Sequence, residues 1–212
     1  MTMPSERPDG RAAQAPWTLA RFAQGAIAVA AAAEVYRAVM VRAHDLDPVG
    51  TPESRSGFAS MVSVYATTAA AALFLTWQHR ARRNARAISP GVDLGHDVWA
   101  VAGWLIPLVN FWVPRGLLLG TMRASAPAGD RRGEVLVNAW WGAWAAHVAV
   151  GLFWRSSTSL PLLVASEVLN VVAAVLILWL IQRITSVQSG TAGSAGKADG
   201  PSRSEVRTEA PS

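Results

Sequence analysis

Cysteine is absent from the 212 residues, which excludes disulfides and thiolate chemistry and leaves the redox compartment open. Lysine is reduced to Lys197, and charged residues of both signs make up only 16% of the chain. The usual marks of catalysis are missing too. His44, His79, His96 and His147 sit in separate segments without metal-ligand spacing. No glycine-rich phosphate loop follows a strand, and no GxSxG elbow occurs. No enzyme activity, cofactor or metal is therefore expected. The net charge of +5 comes from arginines beside apolar blocks, where cations first serve as topology signals, so no nucleic-acid partner is expected either.

What the chain does have is apolar length. Hydrophobic residues make up 51% of it, and the mean hydropathy is +0.25. "FASMVSVYATTAAAALFLTW", Phe58 to Trp77, runs without a charge. Roughly 20 helical residues cross a hydrocarbon core of about 30 Å, so this block predicts a span. Further blocks run from Arg21 to Val41, Val98 to Leu119, Val135 to Trp154 and Pro161 to Ile181. Small residues before Glu34 imitate a signal-peptide cleavage site, but the leader is long and the apolar pattern resumes after Tyr36, so the first block reads as a span. Composition divides the chain into a disordered leader (1–15), a membrane domain (16–184) and a disordered, Ser/Gly/Ala-rich tail (185–212).

The Val98–Leu119 block is ambiguous. "WLIPLVNFWVPRG" is apolar enough for lipid, yet Pro107, Asn110 and Pro114 interrupt it. Charge decides between the two threadings. If the block crosses and the N-terminus is inside, eight cations lie inside and ten outside. If it dips in and returns, fifteen lie inside against Arg42, Arg55 and Arg155 outside. Only the second obeys the positive-inside rule. The expected fold is therefore an all-α integral membrane protein of the cell membrane. It has four transmembrane helices, both termini cytoplasmic, and a proline-broken re-entrant or interfacial segment; a five-span protein with a kinked helix is the alternative. In this reading Asp97 caps a half-helix, the chain breaks at Pro107 and Asn110, and Pro114 opens a short interfacial helix. That helix would turn Leu117, Leu118 and Met122 to lipid and Arg115 and Arg123 to head groups. "DLGHD" reads as a turn, Gly142 and Ala146 as a close-packing pair, and Arg80, Arg82, Arg83 and Arg86 as contacts for anionic lipid.

Charges inside spans are expensive and call for partners. Glu34 and Arg37, three apart on one helix, can pair. By depth along their helices, His147, Glu167 and Asn170 fall at a similar level. The five residues are the candidate intramembrane cluster, serving either as glue between helices or as an ion or proton site.

"PWTLARFA", "FLTWQHRARRNARAI", "WAVAGWLIPLVNFWVPRG", "RASAP" and "WWGAW" follow one another in an order that resembles a bacterial membrane family, domain of unknown function 4328. The resemblance covers Pro16 to Ile181. It departs at Gln78 and His79, where larger apolar or aromatic residues belong. It implies a multi-span membrane domain and supplies no activity, cofactor or catalytic residue. The expected role is non-enzymatic, through packing, lipid contact or a protein partner; permeation of an ion, proton or solute through the polar cluster is the alternative.

Overall fold

A computed structural model describes residues 15–95, 111–126, 129–157 and 159–198. The described residues form five helices and no sheet: α1 (Trp17–Leu46), α2 (Glu53–Ile88), α3 (Val113–Ser125), α4 (Arg131–Ser157) and α5 (Leu160–Ala198). Three of them, at Glu53–Ile88, Arg131–Trp154 and Leu160–Thr191, are long and apolar enough to cross a membrane, which marks a multi-pass membrane protein. α1 is 30 residues long, but Arg21, Gln24, Glu34, Arg37 and Arg42 dilute its apolar content. Its flanks agree with those of the other long helices: Phe22, Val29 and Val39 are exposed, as are Phe58, Phe153 and Val168. So much exposed apolar surface does not suit water.

Local chemistry sets the helix ends. Between α1 and α2, the Asp47 side chain accepts from Gly50 N–H at 2.9 Å, and Pro52 fixes the entry to α2. Pro114 sits in the first turn of α3, where its missing N–H costs nothing. At α4, Asp130 Oδ1 accepts from Gly133 N–H at 3.1 Å, satisfying a donor of the opening turn. Asp97, Pro107 and Asn110, and with them the half-helix and the break, lie outside the described residues.

α1 packs on α2 and α4 on α5, and α1 also runs along α5. α3 lies across one end of this bundle, touching α2, α4 and α5. That end is dense. Trp77, Leu118, Met122, Val137, Leu180, Ile181 and Ile184 are all fully buried there. Polar side chains stitch it together. Gln188 Nε2 donates to Ala81 O (2.8 Å) and Ser125 Oγ (2.9 Å), Trp77 Nε1 donates to Thr185 Oγ1 (3.2 Å), and Ser89 Oγ donates to Ala124 O (2.9 Å). Arg183 forms a two-bond ion pair with Asp130, at 2.7 and 2.8 Å. Its hydrogen bonds hold the Asp130 carboxyl below the usual carboxylate range. Gln188 thus ties the end of α2 to the end of α5, and Arg183 ties the end of α5 to the start of α4. The segment 89–130 therefore leaves and rejoins the bundle at the same end.

Four expectations are corrected here. α5 does not give way to a tail at residue 185 but continues to Ala198, with Thr185 and Gln188 buried, because they extend the inward stripe of Ile181 and Ile184. Leu117, Leu118 and Met122 do not face lipid; α3 turns them into the bundle. Arg115 and Arg123 on the same helix stay exposed; Arg123 pairs with Glu134 (2.7 Å), and Arg115 reaches Asn138 (2.8 Å) and the Trp141 ring. Arg82 is 1% exposed and out of reach of a head group. Its Nη2 donates to Leu94 O at 2.6 Å, and Gly95 O receives both Arg82 and Arg86. Gly95 has φ +72°, a conformation that glycine adopts without strain, and Asp93 Oδ1 accepts from its N–H at 2.7 Å. "DLG" is thus a turn, folded back as a lid over Arg82. Gly142 is exposed, and no neighbouring atom approaches the position a Cβ would take.

Candidate binding cavity between the four long helices

Away from the α3 end the bundle loosens. Helices α1, α2, α4 and α5 line a cavity of about 530 Å³ that is open along much of its wall. Its wall changes character along the axis in step on all four helices. Glu34, Thr67, His147 and Asn170 line the end far from α3; Ile27, Leu75, Trp140 and Ile177 line the near end. The separation is seven residues on α1, α4 and α5, or about 10 Å of helix rise. The cavity is therefore polar at one end and aromatic and aliphatic at the other.

The polar end is highly ordered. Arg37 Nε donates to both Glu34 carboxylate oxygens at 3.0 Å, and its Nη2 also reaches Oε1. Ser63, on α2, adds a hydroxyl donor to Glu34 Oε2. Glu34 therefore holds α1 to α2 as well as pairing within its own helix. His147 Nδ1 lies 2.8 Å from Ser166 O and 3.1 Å from Ser166 Oγ. A carbonyl oxygen only accepts, so Nδ1 carries the proton. In the neutral ring Nε2 is left as an acceptor. Asn170 Nδ2 is buried beside Glu167, with no partner at close hydrogen-bonding distance among the described residues. Carboxylate, ring nitrogen and amide give this end both acceptors and a donor.

The five cluster residues are not all brought to one point. Glu34, His147 and Asn170 share the cavity. Arg37 is turned onto Glu34, while Glu167 lines a separate groove between α1 and α5, within electrostatic reach of Arg37. Sequence reasoning missed Ser63, Ser166, Trp140 and Trp144. Ser63 carried a usable signal, as a small polar residue in a charge-free span at the depth of Glu34; the others carried none that separates them from ordinary span residues.

A family model for a domain of unknown function (DUF4328) matches residues 41–186. The chain belongs to this family. Compared with the Pro16–Ile181 resemblance, the match starts later, near the end of α1, and runs further into α5, through Ser186. Within this DUF4328 chain, His147, Glu167 and Asn170 lie inside the matched region, and Glu34 and Arg37 precede it. No curated protein and no solved structure matches the chain.

Proposed function

We propose that this is a four-span, non-enzymatic membrane protein that binds a small amphipathic molecule in the cavity and does not conduct. α1 is the fourth span, the α3 end is cytoplasmic with both termini, and the polar end of the cavity lies toward the outer leaflet. The fifteen-to-three arginine and lysine distribution supports this orientation, as does the return of segment 89–130 to the end it left. Of Arg80, Arg82, Arg83 and Arg86, the first and third are exposed and remain for contact with anionic lipid on the cytoplasmic side. The chain divides into a leader (1–15), the membrane domain and a tail that starts beyond Ala198.

One observation carries the binding reading. The cavity is stoppered toward α3 by Trp77, Val137 and Leu180, each 0% exposed and close-packed. A permeation path needs hydrated or hydratable walls at both ends, and close-packed side chains leave no room for water. Nor is the polar end set up for catalysis: Glu34 is engaged by Arg37 and Ser63, and His147 Nδ1 by a backbone carbonyl, so no nucleophile stands against a free base. Permeation remains the second reading because Glu34, His147 and Asn170 converge on one void.

Proteoliposomes loaded with a pH-sensitive dye separate the two. Under an imposed proton gradient and potential, wild-type vesicles should leak no faster than empty ones, and His147→Gln should change nothing. Proton flux well above empty vesicles that His147→Gln abolishes would establish permeation instead.

A further inference from the structure

The second cavity lies on the flank of the bundle, between α1 and α5. It measures about 630 Å³ and its walls are aliphatic, with Val35, Val39 and Leu46 on one side and Leu163, Val168 and Val172 on the other. Only Arg42 and Glu167 among its lining residues carry charge. From Arg42 to Val35 is seven residues of α1, roughly 10 Å, with Leu46 one turn further out. One leaflet of hydrocarbon is about 15 Å deep, so the groove inward of Arg42 covers much of one leaflet.

Arg42 makes this more than a gap between helices. Every other part-buried arginine whose side chain is described has a bonded partner: Arg37 on Glu34, Arg82 and Arg86 on Gly95 O, Arg183 on Asp130. Arg42 has no bonded partner among the described residues, and its Nε is buried. A guanidinium held partly out of water without an acceptor calls for an anion. It stands one residue beyond the Arg21–Val41 apolar block, the level of the head groups. Glu167 lies deeper, beside Arg37, so the groove presents a cation at its mouth and aliphatic walls over most of its length.

We infer that the α1–α5 groove is a site for one anionic phospholipid of the outer leaflet, with an acyl chain between the helices and the phosphate on Arg42. The phosphate accepts from the Arg42 guanidinium, satisfying the buried Nε, and the chain covers valine and leucine side chains. The outer-leaflet assignment rests on the four-span threading; the groove and its cation do not.

The test uses full-length protein in mild detergent, equilibrated with phosphatidylglycerol or phosphatidylcholine micelles and examined by native mass spectrometry. Wild type should retain one phosphatidylglycerol per chain, and phosphatidylcholine roughly ten-fold less, because the choline ammonium beside its phosphate offsets the negative charge that Arg42 meets and is repelled by the guanidinium. Arg42→Gln should lower phosphatidylglycerol to the phosphatidylcholine level, Val168→Trp should displace both, and Arg55→Gln, exposed and outside the groove, should change neither. Far-ultraviolet circular dichroism and gel filtration confirm that each variant is folded. Equal retention of the two lipids by wild type, or undiminished phosphatidylglycerol with Arg42→Gln, would overturn the inference. So would a disulfide-linked dimer of Val168→Cys in native membranes, since a second copy would then fill the groove. Labelling of Arg42→Cys by an impermeant thiol reagent in intact cells reads the leaflet separately, so an error of threading shows as protection there while lipid retention stands.

Discussion

A chain ended after Arg183 should not accumulate as folded protein, whereas one ended after Ala198 should behave as wild type. The first truncation removes Ile184 and Thr185, both 0% exposed, and Gln188, 1% exposed. Losing a buried aliphatic side chain of this size costs about 2–5 kcal/mol. It also strands the Trp77 indole N–H, which Thr185 satisfies, and removes the bonds that Gln188 adds to the Ala81 carbonyl and the Ser125 hydroxyl. Each buried group left unsatisfied adds about 1–3 kcal/mol. The combined loss reaches the whole stability of a typical domain, about 5–15 kcal/mol. Gln188→Ala alone removes the three-way link among α2, α3 and α5 and should cost about 2–4 kcal/mol. Thermal unfolding in detergent, followed by size-exclusion fluorescence, orders the three variants. A folded, heat-stable chain ended at Arg183 would mean that the end of α5 does not hold the α3 end together.

Arg37→Leu should be the most damaging single substitution in the polar end of the bundle, and adding Glu34→Leu should restore part of the loss. Arg37 and Glu34 are each about a quarter exposed and share three hydrogen bonds. Removing only the cation leaves a carboxylate with the Ser63 hydroxyl as its remaining support. Breaking such a pair costs about 3–5 kcal/mol, whereas replacing both members with apolar residues is often near neutral. The recovery should be incomplete, because Ser63 loses its acceptor and Glu167 loses a nearby cation. Melting temperatures should therefore rise from Arg37→Leu to the double variant to wild type. A silent Arg37→Leu would show that the pair does not support the bundle.

Much of this arrangement was readable from residue patterns, and the exceptions share a cause. The long helices announce themselves as uncharged blocks, Glu34 and Arg37 meet because three residues make nearly one turn, and Asp93 before Gly95 marks a turn. Arg82 looks like its neighbours Arg80 and Arg83 in the string "RARRNAR". What distinguishes it is the Asp93–Gly95 turn folding back to offer it carbonyls, a tertiary event that no local pattern carries. The residues after Ile184 look like linker because serine, glycine and alanine dominate them. Yet Ile181, Ile184, Thr185 and Gln188 keep helical spacing, and that periodicity was the better guide than composition. α3 was legible as an amphipathic helix, but its apolar face meets protein and not lipid. An apolar stripe fixes which face is buried without naming what buries it.

The central claim is that segment 89–130 begins and ends on the cytoplasmic side, leaving the cavity's polar end toward the outer leaflet. Because the chain has no cysteine, single replacements report one site each. Ser54→Cys and Ser159→Cys mark the two short connections at the end far from α3, and Ala87→Cys and Arg131→Cys flank the segment at the α3 end. In intact cells an impermeant maleimide should label Ser54→Cys and Ser159→Cys, and should reach Ala87→Cys and Arg131→Cys only after the membrane is opened. Labelling of Arg131→Cys in intact cells, with Ala87→Cys protected, would mean that the segment crosses, and would contradict the four-span account.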